Sequence, residues 1–323
     1  MARPVTISLV SFPTFPAGAP DRLARTIGRM ETFVDEAARR DSALVAFPET
    51  CNYLASGPTW LEAEPMDGPT LSAMRRKASA HGMYVVCPLV LDEDGTRRNS
   101  SVLIGRDGRV AGIYRKNFPT HEELDAGVIP GTEAPVFETD FGRLGLSICF
   151  DLFFWEVGSR LAAGGAELVI WSSMPPGGRM LARWPTEFGF QMGAVTSNRS
   201  TFVDVAGREI AMMRGGIYDA TGGEVAPLTT ATLDLDRRLL CHDYNLRRIE
   251  AVCEKYGSSN IYAEWIRSEC LVVFGSQMPD ITTDELIREF DMETMRDYLE
   301  RARRSRKRAL EGAYCPDDAE QMS

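Results

Sequence analysis

The chain reads as an α/β protein, a layered sandwich in which helices cover mixed sheets. Three observations predict this. Short apolar runs alternate with amphipathic helical segments through the first half. A tight-turn signal at Asp107-Gly108 joins two strand-like arms. The later part runs to further short strands and hairpins. With 323 residues, 44% of them hydrophobic and 25% charged, the chain can bury a full core and is globular, not disordered.

Val5–Val10 alternates as a first strand and leads into a proline-rich loop. Asp21 stands as the cap of a helix whose apolar positions Leu23, Ile27, Met30, Val34 and Ala37 keep helical spacing. Ala43–Phe47 is a short apolar strand ending in Pro48-Glu49. A carboxylate directly after a buried strand either faces water or needs a partner, because burial disfavours its charge. Pro69-Thr70 opens the next helix, which closes at His81-Gly82. Met83–Leu91 is a strong strand interrupted by Pro88.

Asn99–Ile104 and Arg109–Tyr114 flank the turn, and the second arm runs into Arg115-Lys116. A lysine there is ordinarily an edge-strand solubility device. The polar loop Asn117–Glu133 carries Glu122 and Glu123. From Phe141 to Trp171 the pattern is a strand (Leu144–Ile148), Cys149 at its end, a sharp exit into a helix, and a buried strand (Leu168–Trp171). A helix N-terminus after Cys149 would favour its thiolate. Most buried free cysteines are plain core residues, so position alone does not make this one a nucleophile.

Trp184–Val195 reads as a helix. Strands follow at Phe202–Val205, Ile210–Met213 and Ala231–Leu235, with a turn at Thr221-Gly222-Gly223. From Asp280 the composition turns charged and helical. The expected organisation is therefore a main domain over 1–279 and a helical extension over 280–323. The basic run Arg301–Arg308 follows acidic residues and reads as a solvated helix face. The amphipathic helix Thr282–Glu311 is long enough to cross onto a partner.

Charge and cysteine usage exclude several classes. A net charge of −10 and a pI near 5.0 leave no basic field for nucleic acid. No apolar run is long enough to span a bilayer, and the N-terminus lacks a signal-peptide pattern. Seven widely spaced cysteines without a CxxC pair predict reduced thiols in a cytoplasm. His81, His121 and His242 are the only histidines, and none has ligand spacing to another, so no metal site is expected.

Three features line up in chain order: FPE ending at Glu49, YRK ending at Lys116, and ICFD around Cys149. Each closes a strand, so the three can converge at one edge of the sandwich. Together with Asn99-Ser100, FGRLGLSICFD and AAGGAELVIW, they make the stretch from Val5 to Leu235 resemble the nitrilase superfamily of carbon–nitrogen hydrolases. The resemblance implies a four-layer α-β-β-α sandwich carrying a Glu-Lys-Cys triad and needing no cofactor. Glu49 would be the general base, Cys149 the nucleophile, and Lys116 with the backbone N–H of Phe150 the oxyanion donors. A second glutamate joins the triad in the family; PTHEE offers Glu123, with Glu122 as its rival.

Phe150-Asp151 after the cysteine, in place of Trp-Glu, looks like the amide-cleaving branches. The expected activity is hydrolysis of a small linear amide or N-carbamoyl compound through a thioester. Nitrile hydrolysis, acyl transfer and a silent scaffold subunit are the alternatives. The place where the family often has an Arg/Ala-rich helix with Glu-Asn holds WPTEFGFQMGAVTSN instead. FGRLGLSICFDLFFWEVG with GGIY at Gly215–Tyr218 also resembles the pantetheinase/biotinidase group. Tyr53, Trp155, Met174, Trp184 and Tyr218 are candidate pocket residues, although such residues are commonly core. By resemblance the chain forms at least a homodimer.

Overall fold

Two six-stranded sheets face each other across one apolar core. The computed structural model describes residues 3–11, 21–52, 62–214 and 227–313. The first sheet holds β1 (Pro4–Val10), β2 (Leu44–Ala46), β3 (Tyr84–Glu93), β4 (Thr96–Ile104), β5 (Val110–Arg115) and β12 (Leu228–Asp234). Its order is β12-β1-β2-β3-β4-β5, with β1, β2 and β3 parallel and the flanking pairs antiparallel.

The second sheet holds β6 (Val136–Thr139), β7 (Gly142–Ile148), β8 (Leu168–Ser173), β9 (Gln191–Thr196), β10 (Arg199–Val203) and β11 (Glu209–Arg214). Its order is β11-β10-β9-β8-β7-β6, and β7, β8 and β9 are parallel. Ile7, Leu9, Leu44, Val86 and Leu103 of the first sheet share a core with Leu144, Leu146, Ile148 and Ile170 of the second.

Helices α1 (Arg22–Arg39) and α2 (Pro69–His81) bury Met30, Phe33, Val34, Leu71 and Met74 on the outer face of the first sheet. Helices α4 (Trp155–Ala163) and α5 (Arg183–Phe188) bury Val157, Leu161 and Trp184 against the second. A short helix, α3 (His121–Asp125), follows β5. The result is a four-layer α-β-β-α sandwich. The parallel strands end at a common edge, which is where βαβ connections leave room for a site.

Several local expectations are corrected. Asp21 sits in the left-handed region at φ 52° and makes no side-chain cap bond to α1. Pro88 does not interrupt β3. Its backbone faces the β2 side beyond the last β2 pairing at Val86, where no ladder donor is needed, and its carbonyl accepts Cys51 N–H at 3.0 Å. The helix expected over Trp184–Val195 stops at Phe188. Gly189, at φ 79°, closes it, and Gln191–Thr196 becomes a fully buried strand paired with β8 and β10. The turn expected at Thr221-Gly222-Gly223 lies outside the described residues.

The C-terminal region forms a unit of its own. Strands β13 (Arg238–Cys241), β15 (Leu271–Ser276) and β14 (Ile261–Ile266) make a three-stranded antiparallel sheet. Leu240, Ile249, Val252, Phe274 and Leu286 join it to α6 (His242–Tyr256) and α7 (Thr283–Glu289). Leu286 and Met292, beyond the expected boundary at 280, share this core with residues from Leu240 onward.

The single helix expected over Thr282–Glu311 is two, α7 and α8 (Met295–Leu310). Asp291 at φ 50° turns the chain between them, and Thr294 caps α8 by accepting Asp297 N–H at 3.2 Å. Helix α8 returns to its own chain. Arg296 donates to the Ala162 carbonyl at the end of α4 (2.9 Å), and Arg303 lies over the Trp155 ring. Among the described residues no helix is long and apolar enough to cross a membrane.

Candidate active site

Three strand ends deliver the site. Strand β2 is wholly buried and hands the chain through Phe47-Pro48 to Glu49, itself 4% exposed. Strand β5 ends at Arg115, placing Lys116 in the interior at 1% exposure. Strand β7 ends at Ile148, and Cys149 follows in the left-handed region at φ 45°. A non-glycine residue there stores roughly 1–3 kcal/mol of backbone strain, which the surroundings must hold in place.

Lys116 is therefore no edge device. Its Nζ donates to Glu49 Oε1 at 2.9 Å and to Glu123 Oε2 at 2.7 Å. Glu123 lies in the first turn of α3, where it completes a capping box with Thr120. Asn99 on β4 donates through the same Nδ2 to Glu49 Oε1 (2.9 Å) and Glu123 Oε1 (2.7 Å). Glu49 Oε2 accepts the Met174 N–H at 3.2 Å. Two carboxylates are thus bridged twice, once by an ammonium and once by an amide.

The electrostatics follow from this packing. Burial opposes the Lys116 charge, but Glu49, Cys149 and Glu123 outweigh it and hold the ammonium well above its ordinary pKa. Burial likewise works against the Glu123 carboxylate, yet the Lys116 charge and donors from Lys116, Asn99 and Thr120 keep it below the usual range. Burial and the neighbouring Glu49 push the Cys149 thiol up to about 12, despite the opposing pull of Lys116. The expected helix-terminus thiolate is thus corrected. A 3-10 turn, Cys149–Phe153, follows the cysteine, and α4 begins only at Trp155.

Asp151 holds the strained turn, and the sequence reading gave it no role. It is fully buried; Oδ2 accepts from Tyr114 Oη (2.6 Å) and Ile148 N–H (3.0 Å), and Oδ1 from Phe118 N–H (2.9 Å). Burial pushes its carboxyl up to about 6, and those donors restrain the rise. Tyr114 belongs to β5 and Ile148 to β7, so one carboxylate ties the lysine-bearing strand to the cysteine-bearing one. We expect Asp151→Asn to lower stability by about 1–3 kcal/mol, because its amide must face at least one N–H or O–H donor. Thermal melting beside the wild type checks this.

The remaining candidates separate. Met174 touches Glu49 through its backbone. Trp184 is fully buried beside Phe188 and Phe190, in the core shared with the second sheet. Trp155 donates to Glu187 at 2.6 Å and packs under Arg303, so it serves the outer helical layer. Phe150 packs edge-on against Phe154, with ring centroids 5.1 Å apart. Its N–H is the second of the 3-10 turn, a position with no acceptor inside the turn. Tyr53 and Tyr218 lie outside the described residues. Among the described residues no group of three or more His, Cys, Asp or Glu side chains could hold a metal ion.

A strand-end cysteine facing a buried Glu-Lys-Glu cluster on a four-layer sandwich defines the nitrilase class of architecture. The chain belongs to the carbon–nitrogen hydrolase family, whose sequence model matches residues 16–197. It is similar to an omega-amidase of Danio rerio, with 28% identity over 162 residues, 46% of this chain and 57% of the relative. A deaminated glutathione amidase of Mus musculus matches at 29% over 195 residues, 53% of this chain and 60% of the relative. The matches thus span less than two thirds of those curated relatives. An amidase from Nesterenkonia sp. shares the fold with a TM-score of 0.61 at 20% identity, covering 72% of this chain and 91% of that one.

Proposed function

We propose that the protein hydrolyses a small linear amide or N-carbamoyl compound through a thioester on Cys149. The observation that carries this reading is Cys149 set beside the Glu49 carboxylate, which Lys116 and Asn99 hold in place through Oε1, with burial and Glu49 pushing the thiol pKa up. Glu49 takes the thiol proton as sulfur attacks the carbonyl carbon. The resulting oxyanion is stabilised by Lys116 and the Phe150 N–H; losing one such donor typically costs about 3–4 kcal/mol. The C–N bond breaks as Glu49 returns its proton to the leaving amine. Glu49 then deprotonates the water that cleaves the thioester, and the acid and the free thiol are restored.

Glu123 keeps Lys116 charged and placed. Glu123→Gln is expected to lower kcat at least about 10²-fold, whereas the exposed Glu122→Gln changes it little. Steady-state kinetics on one amide would reassign the role if the order were reversed. The names of the two curated relatives, both amidases, support an amide over a nitrile. We further propose a cytoplasmic protein that is at least a homodimer. Sedimentation of the full chain as a monomer at micromolar concentration would remove the dimer from this reading.

The central experiment is intact-protein mass after mixing with amides, N-carbamoyl compounds and nitriles, quenched in acid, with Cys149→Ala in parallel. An adduct seen only in wild type establishes the thioester, and its size gives the acyl group. Ammonia release from nitriles with amides inert would indicate nitrile hydrolysis. Products that change with added amine would indicate acyl transfer. No adduct, with Cys149 also inert to iodoacetamide, would leave a silent scaffold.

A further inference from the structure

We propose that Asn99 is a positioning residue of the reaction, fixing Glu49 and Glu123 to each other so that Glu49 turns one set oxygen toward Cys149. This rests on the thioester reading above. Asn99 is 2% exposed and lies within β4, a setting in which asparagine is disfavoured. Its place needs a reason beyond packing. The Nδ2 group reaches both carboxylates, at 2.9 and 2.7 Å, and the Asn99 carbonyl accepts the Lys116 N–H at 2.8 Å. One residue therefore touches three of the four groups that make up the site.

Charge fixes which way the amide faces. Turned over, its oxygen would meet two carboxylates. Lys116 brings a single positive charge to two carboxylates, so a second donor between them is what lets the two sit this close. Glu49 Oε1 accepts from both Lys116 and Asn99 and Oε2 from the Met174 N–H, and the Cys149 thiol lies against the same carboxylate. The titratable groups facing this frame are Glu49 after β2, Lys116 after β5, Glu123 on α3 and Cys149 after β7. The Asn99 bond is also one of the contacts that hold the Glu123 carboxyl low.

The test compares Asn99→Ala and Asn99→Leu with Ser101→Ala, a buried neighbour on the same strand whose hydroxyl has no partner among the described residues. The first readout is the rate at which iodoacetamide alkylates Cys149 between pH 5 and 9, followed by intact mass and peptide mapping. Both Asn99 variants should move the acid limb up by about one pH unit, slowing alkylation about tenfold below it. The second readout is kinetics on whichever amide acylates the wild type, where kcat should fall about 10²-fold with KM nearly unchanged. Ser101→Ala should stay within about twofold on both.

An unmoved acid limb in a folded Asn99 variant overturns the proposal, as does equal slowing in Ser101→Ala. The leucine variant fills the site should alanine fail to fold. A wild-type Cys149 no faster than the other cysteines would overturn the thioester reading, and the role of Asn99 with it.

Discussion

Glu49→Gln should lower kcat/KM about 10³-fold at neutral pH if Glu49 is the general base we propose, within the range for loss of such a group. The reason lies in the resting state of the nucleophile. With the thiol pushed up to about 12, the thiolate fraction at pH 7 is on the order of 10⁻⁵. On the proposed mechanism Cys149 then works from the thiol, its proton leaving during attack to Glu49, the carboxylate beside it. The variant should therefore show a different shape of pH dependence as well as a lower rate. Iodoacetamide alkylation of wild type should change little with pH across the neutral range, because a neighbouring base assists it. In the glutamine variant it should rise about tenfold per pH unit toward the thiol pKa, because only spontaneous thiolate reacts. A level profile in the variant would take the base role away from Glu49.

Lys116→Met should cost about 3–5 kcal/mol of stability near pH 7.5, because it strands two buried carboxylates without their cation. The loss should also carry a pH signature. In wild type the Glu123 carboxyl is held low, so its stabilising contribution is present above the ordinary glutamate pKa. That contribution is lost as pH falls through the lowered folded value. Without Lys116, burial prevails and the Glu123 carboxyl is raised, so acid relieves the variant first. The gap between the two melting temperatures should narrow from pH 7.5 to pH 5. A gap that stays constant would mean that the lysine contributes packing and not charge. Activity should fall with the oxyanion donor whatever the pH.

How much of this could be read in the sequence depends on how local the cause is. The order of strands and helices as far as Arg115 follows from short-range periodicity, and helix Pro69–His81 is found over those same residues. The expected loop Asn117–Glu133 instead contains helix α3, and strand β6 follows it unpredicted. The site motifs are legible for a related reason: each is a polar residue closing an apolar strand. Gln191–Thr196 is different. Its residues carry no strong strand pattern, and it becomes a strand because β8 and β10 stand ready on both sides. Asn99 and Asp151 stand in plain view, yet their roles depend on partners from other strands. The break between α7 and α8 had a local signal in Thr282 three residues before Glu285 and Thr294 three before Asp297, a spacing that opens helices. The unit from Arg238 onward has no single motif; its boundary emerges only from which side chains share a core.

The span of the contacts that build the site has a consequence for how the chain folds. Glu49 meets Lys116 from 67 residues away, Asn99 from 50 and Met174 from 125, and Asp151 meets Tyr114 from 37. The Glu49 pairs with Lys116 and Asn99 need the first sheet closed from β2 to β5, the Met174 and Asp151 pairs need the second sheet packed against it, and closing such loops is slow. A nascent or half-folded chain therefore carries Cys149 as one ordinary thiol among seven. On the proposed reading the surroundings that set this sulfur apart are complete only when the Met174 and Asp151 contacts join the two sheets, so its reactivity would report the packing of one sheet on the other.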